Sequence, residues 1–169
     1  MTGVQTCALP IFRTFLHRYG VLAGKRILIF ANNDSAWQTA FDIRAAGGDV
    51  AGVVDVRREL DEGLALRALK AGISVHPRTA IVGTHGRHRV DSAFVSSLDD
   101  DGNLRGGRSR IECDLIAVSG GWNPNVALFA QSRGKLKWDA ELASFRPGQS
   151  WQHERSAGAC NGTLELHDV

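Results

Sequence analysis

Residues 26–57 constrain the fold more than any other stretch, because they spell strand, tight turn, helix, strand and acid in that order. Arg26-Ile27-Leu28-Ile29-Phe30 is an apolar run of strand length. Ala31-Asn32-Asn33-Asp34-Ser35-Ala36 is a turn of small and polar residues. Residues 37–46 have helical spacing, and Gly47-Gly48 ends the helix. Residues 50–56 form a second apolar run, with Asp55 near its end. Two strands joined by a helix run parallel. The order matches the first half of a dinucleotide-binding unit, in which the turn and the helix N-terminus face a pyrophosphate. An acid on the next strand then holds a ribose hydroxyl.

The turn departs from the pattern G-x-G-x-x-G. Ala31 and Asn33 stand at the first two glycine positions, and Ala36 at the third. Ala36 is small enough for close helix–strand packing. Asn33 is expected to replace glycine through its tolerance of positive φ. Asp34 suits a helix N-cap, yet its charge opposes a phosphate. The spacing serves two readings, a dinucleotide site and a βαβ unit that is scaffold alone.

The 169 residues are 43% hydrophobic and 22% charged, enough to bury a core. A net charge of +2 with dispersed basic residues argues against a nucleic-acid or membrane partner, and no apolar run is long enough to span a bilayer. Residues 1–11 resemble the translation of a sequencing-library adapter and are expected to be a non-native scar. They are short for a signal peptide and lack its basic start. On that expectation the chain is a gene fragment. Cys113 and Cys160 lack the spacing of a redox pair or zinc site. Both are expected to be buried in a protein of the reducing cytoplasm.

A helix is expected over residues 13–19, with Phe12, Phe15, Leu16 and Tyr19 on one face and Gly20 at its end. A second spans residues 60–70, with Leu64, Leu66 and Leu69 to one side, and residues 73–76 form a third parallel strand. Residues 79–83, 90–98 and 108–113 read as an antiparallel meander with turns at 84–87 and 99–103. Three successive acids, Asp99 to Asp101, lack the downstream spacing of a calcium loop. Residues 114–119 form a buried strand that runs into Gly120-Gly121-Trp122-Asn123-Pro124.

This layout is similar to that of the NAD domain inserted in two-dinucleotide-domain flavoproteins: α/β, Rossmann-like, with an antiparallel meander. The words Asn32-Asn33-Asp34-Ser35-Ala36, Val118-Ser119-Gly120-Gly121-Trp122-Asn123-Pro124, Gly134-Lys135-Leu136-Lys137-Trp138-Asp139 and Ala157-Gly158-Ala159-Cys160-Asn161-Gly162-Thr163 resemble the alpha subunits of heterotetrameric sarcosine oxidase. That family oxidatively demethylates sarcosine to glycine, passes the one-carbon unit to tetrahydrofolate and produces hydrogen peroxide. The resemblance implies NAD on this chain, FAD and FMN in the parent complex, and beta, gamma and delta subunits as partners. After the expected scar at 1–11, it implies a lead-in helix at 12–21, an NAD-binding domain at 22–121 and a partial return segment of the FAD-type domain at 122–169. Ala31, Asn32, Asn33, Asp34, Ser35 and Ala36 would form the pyrophosphate turn, with the N–H groups of Ser35 and Ala36 supplying attraction. Asp55 would accept from the adenosine ribose. Arg57 would stand where a 2′-phosphate is accommodated, and Gly120 and Gly121 would admit the nicotinamide side. A related amine- or opine-oxidising subunit and a non-catalytic NAD-binding or subunit-interaction module remain as alternatives. No acid, base and nucleophile constellation stands out, so no complete active site is expected in this chain.

Overall fold

In the computed structural model, which describes residues 6–164, a short strand β1 (Thr6–Ala8) leads into helix α1 (Leu9–Tyr19). The helix begins four residues before the expected start. Pro10 has no N–H to lose in a first turn and its φ already suits a helix, while Leu9 is buried with Phe12 and Leu16. Phe15 and Tyr19 are exposed, so the apolar face is narrower than the sequence suggested. Gly20 ends α1 in the left-handed region at φ 65°, donating to the Leu16 carbonyl. Of the expected scar, residues 1–5 lie outside the described residues, and residues 6–11 supply β1 and the first turn of α1.

Next come β2 (Arg26–Ala31), α2 (Ser35–Ala45), β3 (Asp49–Asp55), α3 (Glu62–Lys70) and β4 (Val75–His76). The meander is β5 (Thr79–His85), β6 (Ser92–Leu98) and β7 (Leu104–Glu112), and β8 (Leu115–Val118) follows it. The strands β1-β8-β2-β3-β4 form one parallel sheet, and β5-β6-β7 pair antiparallel in a second. Alternation along β2 builds two cores. Ile27, Ile29 and Ala31 face the helices, where they meet Phe12, Trp37, Ala40 and Ile43. Leu28 faces the meander with Val90, Ala93, Val95 and Ile116. A register shift against β2 leaves an extra residue in β3. It lets Val50 and Val53 share the helix-side core while Val54 joins the other.

Two expectations are corrected. Leu66 and Leu69 of α3 are 51% and 74% exposed, and Ala68 is the residue that α3 buries. Cys113 is buried as expected, and burial pushes its thiol up to about 11, but Cys160 is exposed.

The chain divides into two compact units, one ending at Gly121 and the other starting at Trp122. The second holds helix α4 (Ala127–Gln131), a hairpin of β9 (Lys135–Asp139) and β10 (Ser144–Gln149), and a 3-10 turn at Gly158–Asn161. Trp138 and Phe145 meet edge to face across the hairpin, 5.2 Å between ring centres, and Arg146 pairs with Asp139 at 3.1 Å. Among the described residues, no helix is long and apolar enough to cross a membrane.

Candidate functional site

The parallel sheet reverses its winding at β2. From β2 the chain proceeds through β3 to β4 on one side, and returns later as β8 on the other. A crevice at the carboxyl ends of two such strands is where open α/β sheets bind ligands. Residues 31–36 leave β2 at that edge, and Ser119, Gly120 and Gly121 leave β8 beside them. The two exits are tied together: the Ser119 amide donates to the Phe30 carbonyl at 2.8 Å.

Side chains rather than glycines shape this turn. The Asn33 amide nitrogen donates to Asn32 Oδ1 at 2.7 Å and to Ser119 Oγ at 2.8 Å. The Asn33 carbonyl oxygen accepts from the Ser35 hydroxyl. Among the described residues, the non-glycine residues with positive φ are Arg78, Arg133 and Ala143, and none of residues 31–36 is among them. The expectation that Asn33 stands in for glycine through a left-handed backbone is therefore corrected. Asn33 fits because its carboxamide makes three hydrogen bonds that brace the turn.

Gly121 does need to be glycine. Its φ is +90°, and a Cβ there would sit 3.3 Å from the Asn32 amide nitrogen. Gly120 has nothing within 4 Å of that position, so the two glycines are not equivalent.

The expected acid, Asp55, ends β3 with no solvent exposure. One oxygen accepts from the Arg57 backbone N–H at 2.9 Å and from Arg57 Nε at 3.1 Å. The other accepts from the Trp37 indole at 3.0 Å and from Arg57 Nη2 at 2.9 Å. A carboxylate offers about four lone-pair positions, and all are filled. In this arrangement Asp55 presents no acceptor to a ribose, and Arg57 covers it.

Asp34 does not cap α2 with its side chain. Its carboxylate instead pairs with Arg57 Nη1 at 2.7 Å. Arg57 thus bridges the turn acid and the strand acid, and its hydrogen bond to Asp55 is the main reason its own pKa rises. Sequence reasoning missed three of these roles, those of Trp37, Ser119 and the bridging by Arg57. The signal for Trp37 was available, since a buried indole N–H needs an acceptor and Asp55 supplies it.

No family model matches the chain. It is 36% identical over 155 residues to the sarcosine oxidase alpha subunit of Corynebacterium sp. (strain U-96), covering 90% of this chain and 16% of that protein. It is 35% identical over 161 residues to the same subunit of Rhizobium meliloti (strain 1021), covering 91% of this chain and 14% of that protein. The chain therefore spans a small part of the curated relatives it matches. Among solved structures, T. acidophilum thioredoxin reductase superposes with a TM-score of 0.56 at 15% identity, over 99% of this chain and 57% of that one. A FAD-dependent pyridine nucleotide-disulphide oxidoreductase from Desulfovibrio vulgaris gives 0.56 at 20% identity, over 83% and 35%. L-proline dehydrogenase from P. horikoshii gives 0.55 at 12% identity, over 89% and 23%. In sequence the chain is homologous to a segment of sarcosine oxidase alpha subunits, and its fold is that of the two-dinucleotide-binding flavoproteins.

Proposed function

We propose that this chain is the NAD-binding portion of a sarcosine oxidase alpha subunit. The parent would be a cytoplasmic flavoprotein complex with beta, gamma and delta subunits and both FAD and FMN. It would demethylate sarcosine oxidatively to glycine, pass the one-carbon unit to tetrahydrofolate and yield hydrogen peroxide. The observation that carries the reading is the braced Asn32–Asn33 turn beside Gly121 at the reversal point of the parallel sheet. The charge objection to Asp34 is met by its pairing with Arg57.

On this reading Ala31, Asn32, Asn33, Asp34, Ser35 and Ala36 hold the pyrophosphate against the α2 N-terminus, and Gly120 and Gly121 lie along the nicotinamide half. Asp55 reaches the ribose when the Arg57 guanidinium swings off it while keeping its pair with Asp34, which frees one lone pair on each Asp55 oxygen. NAD would supply a hydride acceptor or donor, and no acid–base or nucleophilic machinery of this chain is assigned to it. Residues 22–121 are then the NAD domain, and residues 122–169 a partial return segment of the FAD-type domain. Support for the latter comes from Trp138, Phe145 and Trp151, which are 57%, 54% and 71% exposed in the second unit. Aromatic surface of that kind suits burial against other parts of a longer protein.

The test is a thermal-shift titration of the chain with NAD. Binding at a hundredfold excess over Kd adds about 2.7 kcal/mol. Asn33→Arg, which breaks the brace and crowds the turn, is expected to abolish the shift while leaving the circular dichroism spectrum unchanged. A folded chain that ignores NAD would leave the βαβ unit as scaffold, and the non-catalytic interaction module would become the better reading.

A further inference from the structure

Beyond the end of β3, two arginines converge on one carboxylate oxygen. Asp100 Oδ1 lies 3.2 Å from Arg58 Nη1 and 2.7 Å from Arg78 Nη2. The three side chains border a cavity of 130 Å³ that Val56, Leu98 and Gly102 help to line. Asp100 is delivered by the turn between β6 and β7, where Asp99 accepts from the Asp101 and Asn103 amides at 3.0 and 2.8 Å. Arg78 is fixed from both sides: its amide donates to the Arg57 carbonyl at 3.1 Å, and its carbonyl accepts from the Leu98 amide at 2.7 Å. Its backbone is held at φ 49°, a region non-glycine residues seldom occupy.

These pairs do little for stability. Arg58 and Asp100 side chains are 70% and 69% exposed, and exposed ion pairs contribute little. The position is more telling. Arg58 follows Arg57, and the loop leaving β3 is where a dinucleotide places its adenosine ribose. Two arginines there form a site for a doubly charged phosphate, and Asp100 fills it with a carboxylate of this chain. Three cations, Arg57, Arg58 and Arg78, are matched by Asp34, Asp55 and Asp100. A neutral ribose hydroxyl meets no net charge, whereas a 2′-phosphate meets three acids whose cations are already engaged.

We propose that Asp100 is a specificity residue. By occupying the Arg58–Arg78 clamp it makes the adenosine end reject the 2′-phosphorylated dinucleotide, and it makes no contact that NAD needs. This rests on the NAD reading given above. Specificity of this kind comes from repulsion of the wrong ligand as much as from attraction of the right one.

The experiment is isothermal titration of the full chain, wild type and Asp100→Asn, with NAD, NADP and 2′,5′-ADP. Asp100→Ser serves as a second variant, and circular dichroism checks each fold. The wild type is expected to bind NAD in preference to NADP. Asp100→Asn should gain about tenfold in affinity for NADP, as two freed charge-assisted hydrogen bonds allow, with NAD affinity unchanged. Adding Arg78→Gln should remove the gain. If both Asp100 variants bind NAD normally and gain nothing for NADP, the acid is a tie between loops and the proposal fails. A wild type that binds NADP as tightly as NAD overturns it as well. If NAD leaves the wild type untouched while Asp100→Asn still gains affinity for 2′,5′-ADP, the NAD reading falls and the clamp stands as a phosphate subsite. No binding of any probe by any variant overturns both.

Discussion

Replacing Asp55 by alanine tests whether the buried carboxylate organises the site. The Trp37 indole N–H, in a fully buried side chain, would lose its acceptor. An unpaired buried donor costs about 1–3 kcal/mol. Arg57 would lose three hydrogen bonds, but its side chain is 29% exposed and can turn into water, so its share is the smaller one. Together the loss is about 3 kcal/mol, or a fall in Tm of about 10 °C for a unit of this size. Intrinsic fluorescence is a poor probe, because Trp122, Trp138 and Trp151 report on the other unit. Hydrogen exchange resolved to β2 and β3 reads the affected sheet directly. Trp37→Phe should cost less, and the double variant should show a coupling of about 1 kcal/mol or more. A drop in Tm below about 3 °C, with no coupling to Trp37, would mean the carboxylate is free to meet solvent, and the sealed-acid account would be wrong.

Gly121→Ala should lower stability by about 1–2 kcal/mol, from positive φ and contact with Asn32, and should weaken NAD binding, whereas Gly120→Ala should do neither; equal effects in urea titrations and calorimetry would refute the distinction. Burial lowers the pKa of His76 from 6.5, so the unfolded chain takes up a proton first as pH falls, and stability declines from about pH 6.5 down to the folded value and is flat above it. Asp91, Asp139 and Glu154 also have lowered values, so their contribution is present above the ordinary carboxylate range and is lost only as pH falls through it; His76→Gln should therefore flatten the slope between about pH 7 and 5 and leave the acid limb unchanged, and a slope that survives the substitution would refute the assignment.

The βαβ order was legible because its signals are local. Ile27 to Ile29 are apolar on successive positions, as a strand covered on both faces must be, and Gly47, at φ +79°, closes α2 where the helical spacing stops. The failures came where long-range packing decides. Leu66 and Leu69 have helical spacing yet point to solvent, because Ala68 and the partly buried Leu64 make the contact with the sheet. Nothing in residues 31–36 says that Ser119, 86 positions after Asn33, completes the turn. Nor does any local pattern place Asp100 against Arg58 and Arg78, since that contact depends on how the meander folds back.

The acid in the phosphate turn poses the sharpest question, and Arg57→Ala answers it. Two opposite effects follow from that change. Positions on Asp55 open to a ribose hydroxyl, which favours NAD. Asp34 loses its counter-charge beside the pyrophosphate, which opposes it. The first gains a hydrogen bond worth about 1 kcal/mol net. The second sets a carboxylate against a ligand with two phosphate charges; at about 5 Å and an effective dielectric near 40, each pair costs about 1.7 kcal/mol. Repulsion therefore wins by about 2.4 kcal/mol, and Arg57→Ala should weaken NAD binding by about fiftyfold at low salt. Because Asp34 is exposed, the loss should shrink as ionic strength rises, and Asp34→Asn added to Arg57→Ala should recover it. Tighter binding by Arg57→Ala at low salt would mean that Arg57 acts as a plug over Asp55 and not as the neutraliser of Asp34.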